Sequence, residues 1–484
     1  MKKILSLILA CLMLTGCLVG CAKEAAPDDK PDAIVDYDGQ DSVLPDKDWE
    51  GKELKIMACV NDLVGNIFQP SDFTNVVEAE VYSRNAYLEE KYNFTIKCQA
   101  AAFGQWPSDV VRTEAASGES SYDLILDAMR SLKVALSQFL YSDLSELDYI
   151  DWNAKGWLKD ANDSLDIMGY RFVCTGDANL YEKSGAILMY YNRNIMSSLA
   201  DEDIRQVALD GNWTMEKMYQ LMKDAATEDP STGEVDVYGL VHSDNEAFYN
   251  YLTTGFGMQI VTKAQDGSLS YSFDDKGTME RTINNIDEVL RFYCDPTTTY
   301  SQRSYYSEPK AAEIFQQNSA LFMPYLLCEM KTWRDSGVEY GVLPLPKADA
   351  SNEYRSAYYT GDTQLFAIPC FAKDTAFSAF VLQALMENSE ELIRIYVEDQ
   401  CKIRGSYDVT DYNLITLALS NFVYDLGGIF DWGAIKTWIF IDRYNDNEAL
   451  QSIPVGGVNN FATSWAEKKK LAYNELNDFL KHFS

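Results

Sequence analysis

Few residues of this chain are equipped for catalysis. Its two histidines are His242 and His482, the latter close to the last residue, so a Ser-His-Asp triad or a histidine metal centre would rest on His242 alone. The sequence contains no G-x-S-x-G elbow, no G-x-x-x-x-G-K-[ST] phosphate loop, no H-E-x-x-H and no EF-hand loop. Gly255-Phe256-Gly257 lacks the third glycine and the following helix of a nucleotide fingerprint and reads as a turn. Paired carboxylates could hydrolyse glycosides, but 74 acidic residues guarantee chance pairs and no pair stands out. The expectation is a chain with no catalytic residue, no metal and no cofactor.

Three of the ten cysteines, Cys11, Cys17 and Cys21, fall in the N-terminal stretch. There Lys2 and Lys3 precede an apolar run, Ile4 to Val19, which closes on small residues and reads as a secretory signal peptide over residues 1–20. It is followed by acidic sequence rather than a basic stop-transfer flank, so no mature membrane-spanning helix is expected. Leu14-Thr15-Gly16-Cys17 and Leu18-Val19-Gly20-Cys21 both resemble a lipobox, whose cysteine thiol takes a diacylglycerol. Cys21 is the better candidate and Cys17 the alternative, because Cys17 is followed by continuing apolar core and Cys21 by Ala22, Lys23 and Glu24. With a further acyl chain such as palmitate, that anchor would hold the protein to the membrane without a spanning helix.

Residues 21–50, acidic and poor in large apolar side chains, predict a flexible tether. Beyond it lie roughly 435 of the 484 residues, more than one core usually organises, so two lobes are expected. The net charge of −33 would repel nucleic acid and anionic lipid headgroups. The seven body cysteines, Cys59, Cys98, Cys174, Cys294, Cys328, Cys370 and Cys401, form no C-x-x-C pair and read as buried, inert thiols.

Hydrophobic periodicity places the elements. Leu54 to Val60 predicts a strand and Asn61 to Ser71 a loop. A helix from about Thr74 carries Val77, Val81, Leu88 and Tyr92, and a strand spans Phe94 to Gln99. A helix over Ser108 to Ala116 leads to a strand, Tyr122 to Asp127, that stops on a carboxylate. Further strands are Ala186 to Tyr191, Ala320 to Met323, Tyr340 to Leu343 and Gln364 to Ile368. Helices are expected after Thr214, over Met279 to Tyr293 and Pro309 to Gln317, and twice between Asp374 and Gln400. The alternation predicts an α/β fold with a largely parallel sheet.

Four stretches, in order, resemble the family 1 extracellular solute-binding proteins of ABC importers, the maltose-binding-protein-like group. They are Leu88-Glu89-Glu90-Lys91-Tyr92-Asn93-Phe94-Thr95-Ile96; Ser117-Gly118 with Tyr122-Asp123-Leu124-Ile125-Leu126-Asp127; Leu188 to Asn194 with Asn212-Trp213-Thr214-Met215-Glu216; and Ala311 to Leu345, ending Tyr340-Gly341-Val342-Leu343-Pro344-Leu345-Pro346. The residues after 386 match less. Where family members often carry Gly-Gly-x-Trp, this chain has Pro324-Tyr325-Leu326-Leu327-Cys328, which puts the usual stacking residue in doubt.

The resemblance implies a two-lobed periplasmic-binding-protein-like type II fold with a hinge and an interlobe cleft. It divides the chain into 51–185 with about 355–420, and about 186–354 with 421–484. It further implies reversible capture of a small molecule, a sugar or oligosaccharide, passed to the permease subunits of an ABC importer, by a monomer held to the membrane only by its lipid. Loops after the strands would line the cleft, which points to Asn61, Asp62, Asp127, Tyr325, Glu329, Tyr359, Gly361 and Asp362, with Trp432 and Trp438 as further aromatic plates. Sugars offer apolar C–H faces and hydroxyl rims, so rings and carboxylates suit them. Asp127 is the leading candidate, because a carboxylate closing an apolar strand suits a cleft better than a core. A surface glycan-binding or sensor lipoprotein of the same fold, and an exported glycoside hydrolase, are the rival readings.

Overall fold

The structure, a computed structural model, describes residues 37, 41–59, 73, 75–102, 104–199, 202–243, 254–293, 295–302, 309–330, 333, 336–359, 363–401, 408–435 and 459–483. Asn61, Asp62, Gly361, Asp362, Trp438 and the two lipobox cysteines lie outside them.

The first lobe is built on four strands. β1 (Lys52–Ala58) lies parallel to β2 (Phe94–Ala100) and to β3 (Leu124–Ala128). The helix α1 (Val76–Tyr92) connects β1 to β2 and α2 (Pro107–Ser117) connects β2 to β3. α1 starts where Asn75 accepts from the amides of Val77 and Glu78 and stops at Asn93, which adopts a left-handed conformation at φ 53°. Every residue of β3 is buried, because helices cover both faces of this sheet. Leu124 and Leu126 join Leu54, Ile56, Phe94 and Ile96 in one core, and Ile125 joins the other with Met57.

The second lobe is a mixed sheet in the order β8 (Tyr340–Leu343), β4 (Ala186–Asn192), β7 (Ala320–Leu326), β6 (Val235–Ser243), β5 (Thr227–Glu228). β7 runs parallel to β6 and antiparallel to β4, which is also antiparallel to β8. The sheet is thus less parallel than the alternation of strand and helix predicts. Gly341 is fixed by its neighbour, since a Cβ there would lie 2.5 Å from the Tyr191 ring. α3 (Met215–Ala225) starts at Thr214, whose hydroxyl caps Lys217, and buries Met218, Leu221, Met222 and Ala225 as its spacing predicts. The Gly255-Phe256-Gly257 segment closes as a turn, Gly257 N donating to Thr254 O at 2.8 Å.

Two crossings join the lobes side by side. The short helix Leu180–Ser184 feeds β4. β9 (Ala357–Tyr358) pairs with β4, and the chain then enters β10 (Gln364–Ala367), which is antiparallel to β3. Tyr359 N donates to Gly185 O at 2.9 Å, Thr363 N to Tyr359 O at 2.8 Å and Met129 N to Thr363 O at 3.0 Å, so both crossings are stitched to the C-terminal end of β3. Beside them, Lys183 and Glu182 form a buried ion pair, Tyr424 OH donates to Glu182, and the Lys183 ammonium lies 5.0 Å over the Phe422 ring.

Two assignments made from sequence differ from this architecture. The end of the 21–50 tether is docked rather than free. Tyr37 is buried, stacks on Tyr87 at 5.4 Å and donates to Glu80 at 2.8 Å, and Leu44 and Trp49 sit in the first lobe's core. Three scattered apolar residues cannot form a core of their own, but they can complete one supplied by α1 and the helix Thr375–Glu387. The lobe division also shifts: the helix Val409–Ala418, expected with the first sheet, lies against β8 of the second. The helix Leu426–Phe430, expected with the second, lies against Met129–Ser137 of the first.

Candidate ligand-binding cleft

The crossings place a cluster of rings and charge at the C-terminal end of the first sheet. Trp106 precedes α2, Arg130 opens the helix that follows β3, and Tyr359 occupies the crossing itself. The Arg130 guanidinium lies 5.5 Å from the Trp106 ring centroid and 5.9 Å from that of Tyr359, and its Nη2 donates to the Tyr359 hydroxyl at 3.3 Å. Both rings are half-buried and Arg130 is exposed. The guanidinium therefore braces two aromatic plates while four of its five N–H donors face away from that bond.

Tyr325 approaches the same crossing from the second lobe. Ile187 of β4 pairs with Leu326 on one side and with Ala357 on the other. Two strand spacings, roughly 10 Å, thus separate the end of β7 from the chain leading into Tyr359. Tyr325 is half-buried and stacks on Trp333 at 5.0 Å, and its hydroxyl is pushed up to about 12, chiefly by burial and then by the Glu329 carboxylate. Trp333 is buried against Tyr190 and Phe315, so it backs Tyr325 rather than offering a plate of its own. Glu329, half-buried, lies in the short turn Leu327–Met330 after β7.

Of the residues singled out from sequence, Tyr359 stands in the Trp106–Arg130 cluster, Tyr325 and Glu329 lie together at the end of β7 on the other side of β4, and two lie elsewhere. Asp127 is fully buried in the first lobe. The two-residue period of β3 turns it to the Ile125 face, beneath the helices that flank the strand. Its oxygens accept from Ser131 Oγ at 2.7 Å and Tyr141 OH at 3.0 Å, and burial raises its carboxyl to about 6 although Ser131, Tyr141 and Ser108 hydrogen bonds oppose that shift. A strand end closed over by its own following helix is core, whatever its last residue. Trp432 is also buried, stacked on Phe430 at 4.5 Å and packed against Phe479 of the C-terminal helix.

Trp106 and Arg130 were not found by sequence reasoning. The signals were present: a tryptophan directly before Pro107, which starts a helix, and an arginine on a strand-to-helix turn otherwise apolar. Among the described residues no group of histidine, cysteine and carboxylate side chains could hold a metal ion. Burial pushes the Cys98 thiol up to about 12 and raises that of Cys174 as well, away from reactive thiolate character, whereas Cys370 is exposed.

No protein-family model and no curated protein matches the chain. Solved structures do. The galacto-N-biose-/lacto-N-biose I-binding protein of an ABC transporter from Bifidobacterium longum, in complex with lacto-N-biose, superposes with a TM-score of 0.56 at 14% identity, covering 90% of this chain and 99% of that one. The fold is that of the two-lobed solute-binding proteins. A cyclo/maltodextrin-binding protein complexed with maltotetraose gives 0.53 at 15% identity over 89% and 96% of the two chains. M. tuberculosis UspC gives 0.53 at 11% identity over 87% and 100%. In this fold the crossing segments are the hinge, and the Trp106, Arg130 and Tyr359 side chains stand beside them. Among the described residues no helix is long and apolar enough to cross a membrane.

Proposed function

We propose that the protein is the substrate-binding lipoprotein of an ABC importer, anchored through Cys21, that captures a sugar or oligosaccharide between its lobes and delivers it to the permease. The observation that carries this reading is the Trp106–Arg130–Tyr359 cluster at the hinge, where two rings can take sugar C–H faces and a guanidinium can bond hydroxyls. The fold supports it, since two of the neighbouring structures hold lacto-N-biose and maltotetraose. In this reading the lobe on β1, β2, β3 and β10 and the lobe on β4, β6, β7 and β8 close over the ligand as rigid bodies. Asn61 and Asp62, which follow β1 in the chain, and Gly361 and Asp362, which precede β10, add polar rims.

Thermal unfolding against a panel of mono- and oligosaccharides tests the reading. A ligand at a hundred times its dissociation constant adds about 2.7 kcal/mol and moves the midpoint by a few degrees. Trp106→Ala removes one plate, which costs roughly 1 kcal/mol beyond lost contact area and weakens binding about tenfold or more. A panel in which no saccharide shifts the midpoint, or binding that survives Trp106→Ala unchanged, refutes the assignment.

A further inference from the structure

A cavity of about 700 Å³ opens in the second lobe between residues 255–259, the first turns of the helix Lys276–Tyr293 and the loop 348–355. That volume suits a small organic ligand, and the cavity shares no lining residue with the Trp106–Arg130–Tyr359 cluster. Its walls carry two arginines, Arg281 and Arg355. Elsewhere in this strongly acidic chain, Arg112, Arg171, Arg193, Arg205, Arg291 and Arg394 each pair with a carboxylate. Arg355 is half-buried yet makes no hydrogen bond or ion pair with any described residue. Arg281 makes one neutral bond, Nη2 to Thr278 Oγ1 at 2.8 Å.

The carboxylates nearby are committed elsewhere or lie at the rim. Asp349 accepts from the Ser351 amide at 2.8 Å and hydroxyl at 2.6 Å. Asp275 accepts from the Thr278 amide at 2.7 Å and hydroxyl at 2.8 Å, with Arg281 helping to hold its carboxyl below the usual range. Glu353 is exposed. None comes within 4.0 Å of either guanidinium as an ion pair. A second, independent feature points inward: Thr282 is only 4% exposed, lines the cavity, and its hydroxyl bonds to no described residue. Phe256 supplies an apolar wall and Asn285 a further amide.

We propose that this cavity binds the carboxylate-bearing unit of an acidic saccharide, a uronate, with Arg355 and Arg281 on the carboxylate, Thr282 and Asn285 on ring hydroxyls and Phe256 against the C–H face. A planar guanidinium matches a carboxylate in two parallel hydrogen bonds, which a neutral sugar does not offer. The inference rests on the saccharide reading for its sugar class but not on the hinge cluster.

Calorimetric titration of the purified protein with trigalacturonate, maltotriose and galactose 6-sulfate tests it, using Arg355→Ala, Arg355→Lys, Thr282→Val and Trp106→Ala with unfolding midpoints measured in parallel. The expected result is trigalacturonate binding that weakens at least tenfold in Arg355→Ala, less in Arg355→Lys, and weakens further as salt rises. Should Arg355→Ala fail to fold, the smaller losses in Arg355→Lys and Thr282→Val carry the result. Absence of trigalacturonate binding, or binding indifferent to every cavity variant, overturns the proposal; tighter binding of galactose 6-sulfate, which carries a sulfate and no carboxylate, overturns the carboxylate assignment. Maltotriose bound through Trp106 without any uronate binding leaves the hinge reading standing alone, and uronate binding insensitive to Trp106→Ala leaves the cavity standing alone.

Discussion

Replacing Asp127 by asparagine separates a buried structural carboxylate from a ligand-binding one. In the folded protein this carboxyl holds its proton up to about pH 6, against an ordinary value of 3.8, because burial penalises the charged form more than Ser131, Tyr141 and Ser108 favour it. The unfolded chain sheds the proton near pH 4. As pH rises through that interval the folded state holds a proton the unfolded state has released, so the group's contribution to stability falls, and above about pH 6 the loss levels off. At 1.36 kcal/mol per unit the loss between pH 4 and pH 7 is about 2–3 kcal/mol. The substituted amide does not titrate but can still accept from Ser131 or Tyr141. The stability of Asp127→Asn relative to the parent should therefore climb by about 2–3 kcal/mol over the same pH range. Urea unfolding at half-unit steps reads this difference, and taking it against the parent cancels Asp177 and Asp425, whose carboxyls burial also raises to about 6. Saccharide affinity should be unchanged in Asp127→Asn. A stability difference that is flat with pH, or a lost ligand, would refute the argument.

Trp432→Ala removes a buried ring stacked on Phe430 and should cost about 3–5 kcal/mol in urea unfolding while leaving ligand affinity intact at temperatures where the variant is folded. Lys183→Met strands the buried Glu182 carboxylate beside the crossings and should cost about 3–5 kcal/mol, whereas the double change Lys183→Met, Glu182→Leu should recover most of that loss. Tyr37→Phe keeps the stack on Tyr87 but removes the bond to Glu80, so stability should fall by about 1.5–3 kcal/mol and amide exchange in residues 41–49 should speed up. A Tyr37→Phe protein of parental stability would mean that the segment is not held by this contact.

The strands were legible because local pattern and tertiary role agree in them. β3 and β4 are short apolar runs bounded by turn residues, and both form as their composition predicts. α3 shows its capping threonine and its buried face in sequence for the same reason. The aromatic cluster at the hinge was only half legible. Tyr359 could be placed by its position ahead of a strand, but Trp106 and Arg130 lie 24 residues apart and gain meaning only when the β1, β2, β3 sheet aligns their loops. Asp127 misled because a strand's last residue and a loop's first look alike until the following helix folds back over them.

Charge and period are properties of residue types and near neighbours, so the sequence alone determined an acidic α/β chain of two-lobe size and the helices with a clear cap and apolar face, such as α1 and α3. Which side chains face a cleft depends on the register of distant strands and on what covers each sheet face. Those long-range contacts decided that Asp127 and Trp432 are core, that Tyr37, Leu44 and Trp49 pack on the first lobe, and that Arg130 stands between Trp106 and Tyr359. A pattern of period 2 or 3.6 specifies a face, but only packing decides whether that face meets protein or solvent.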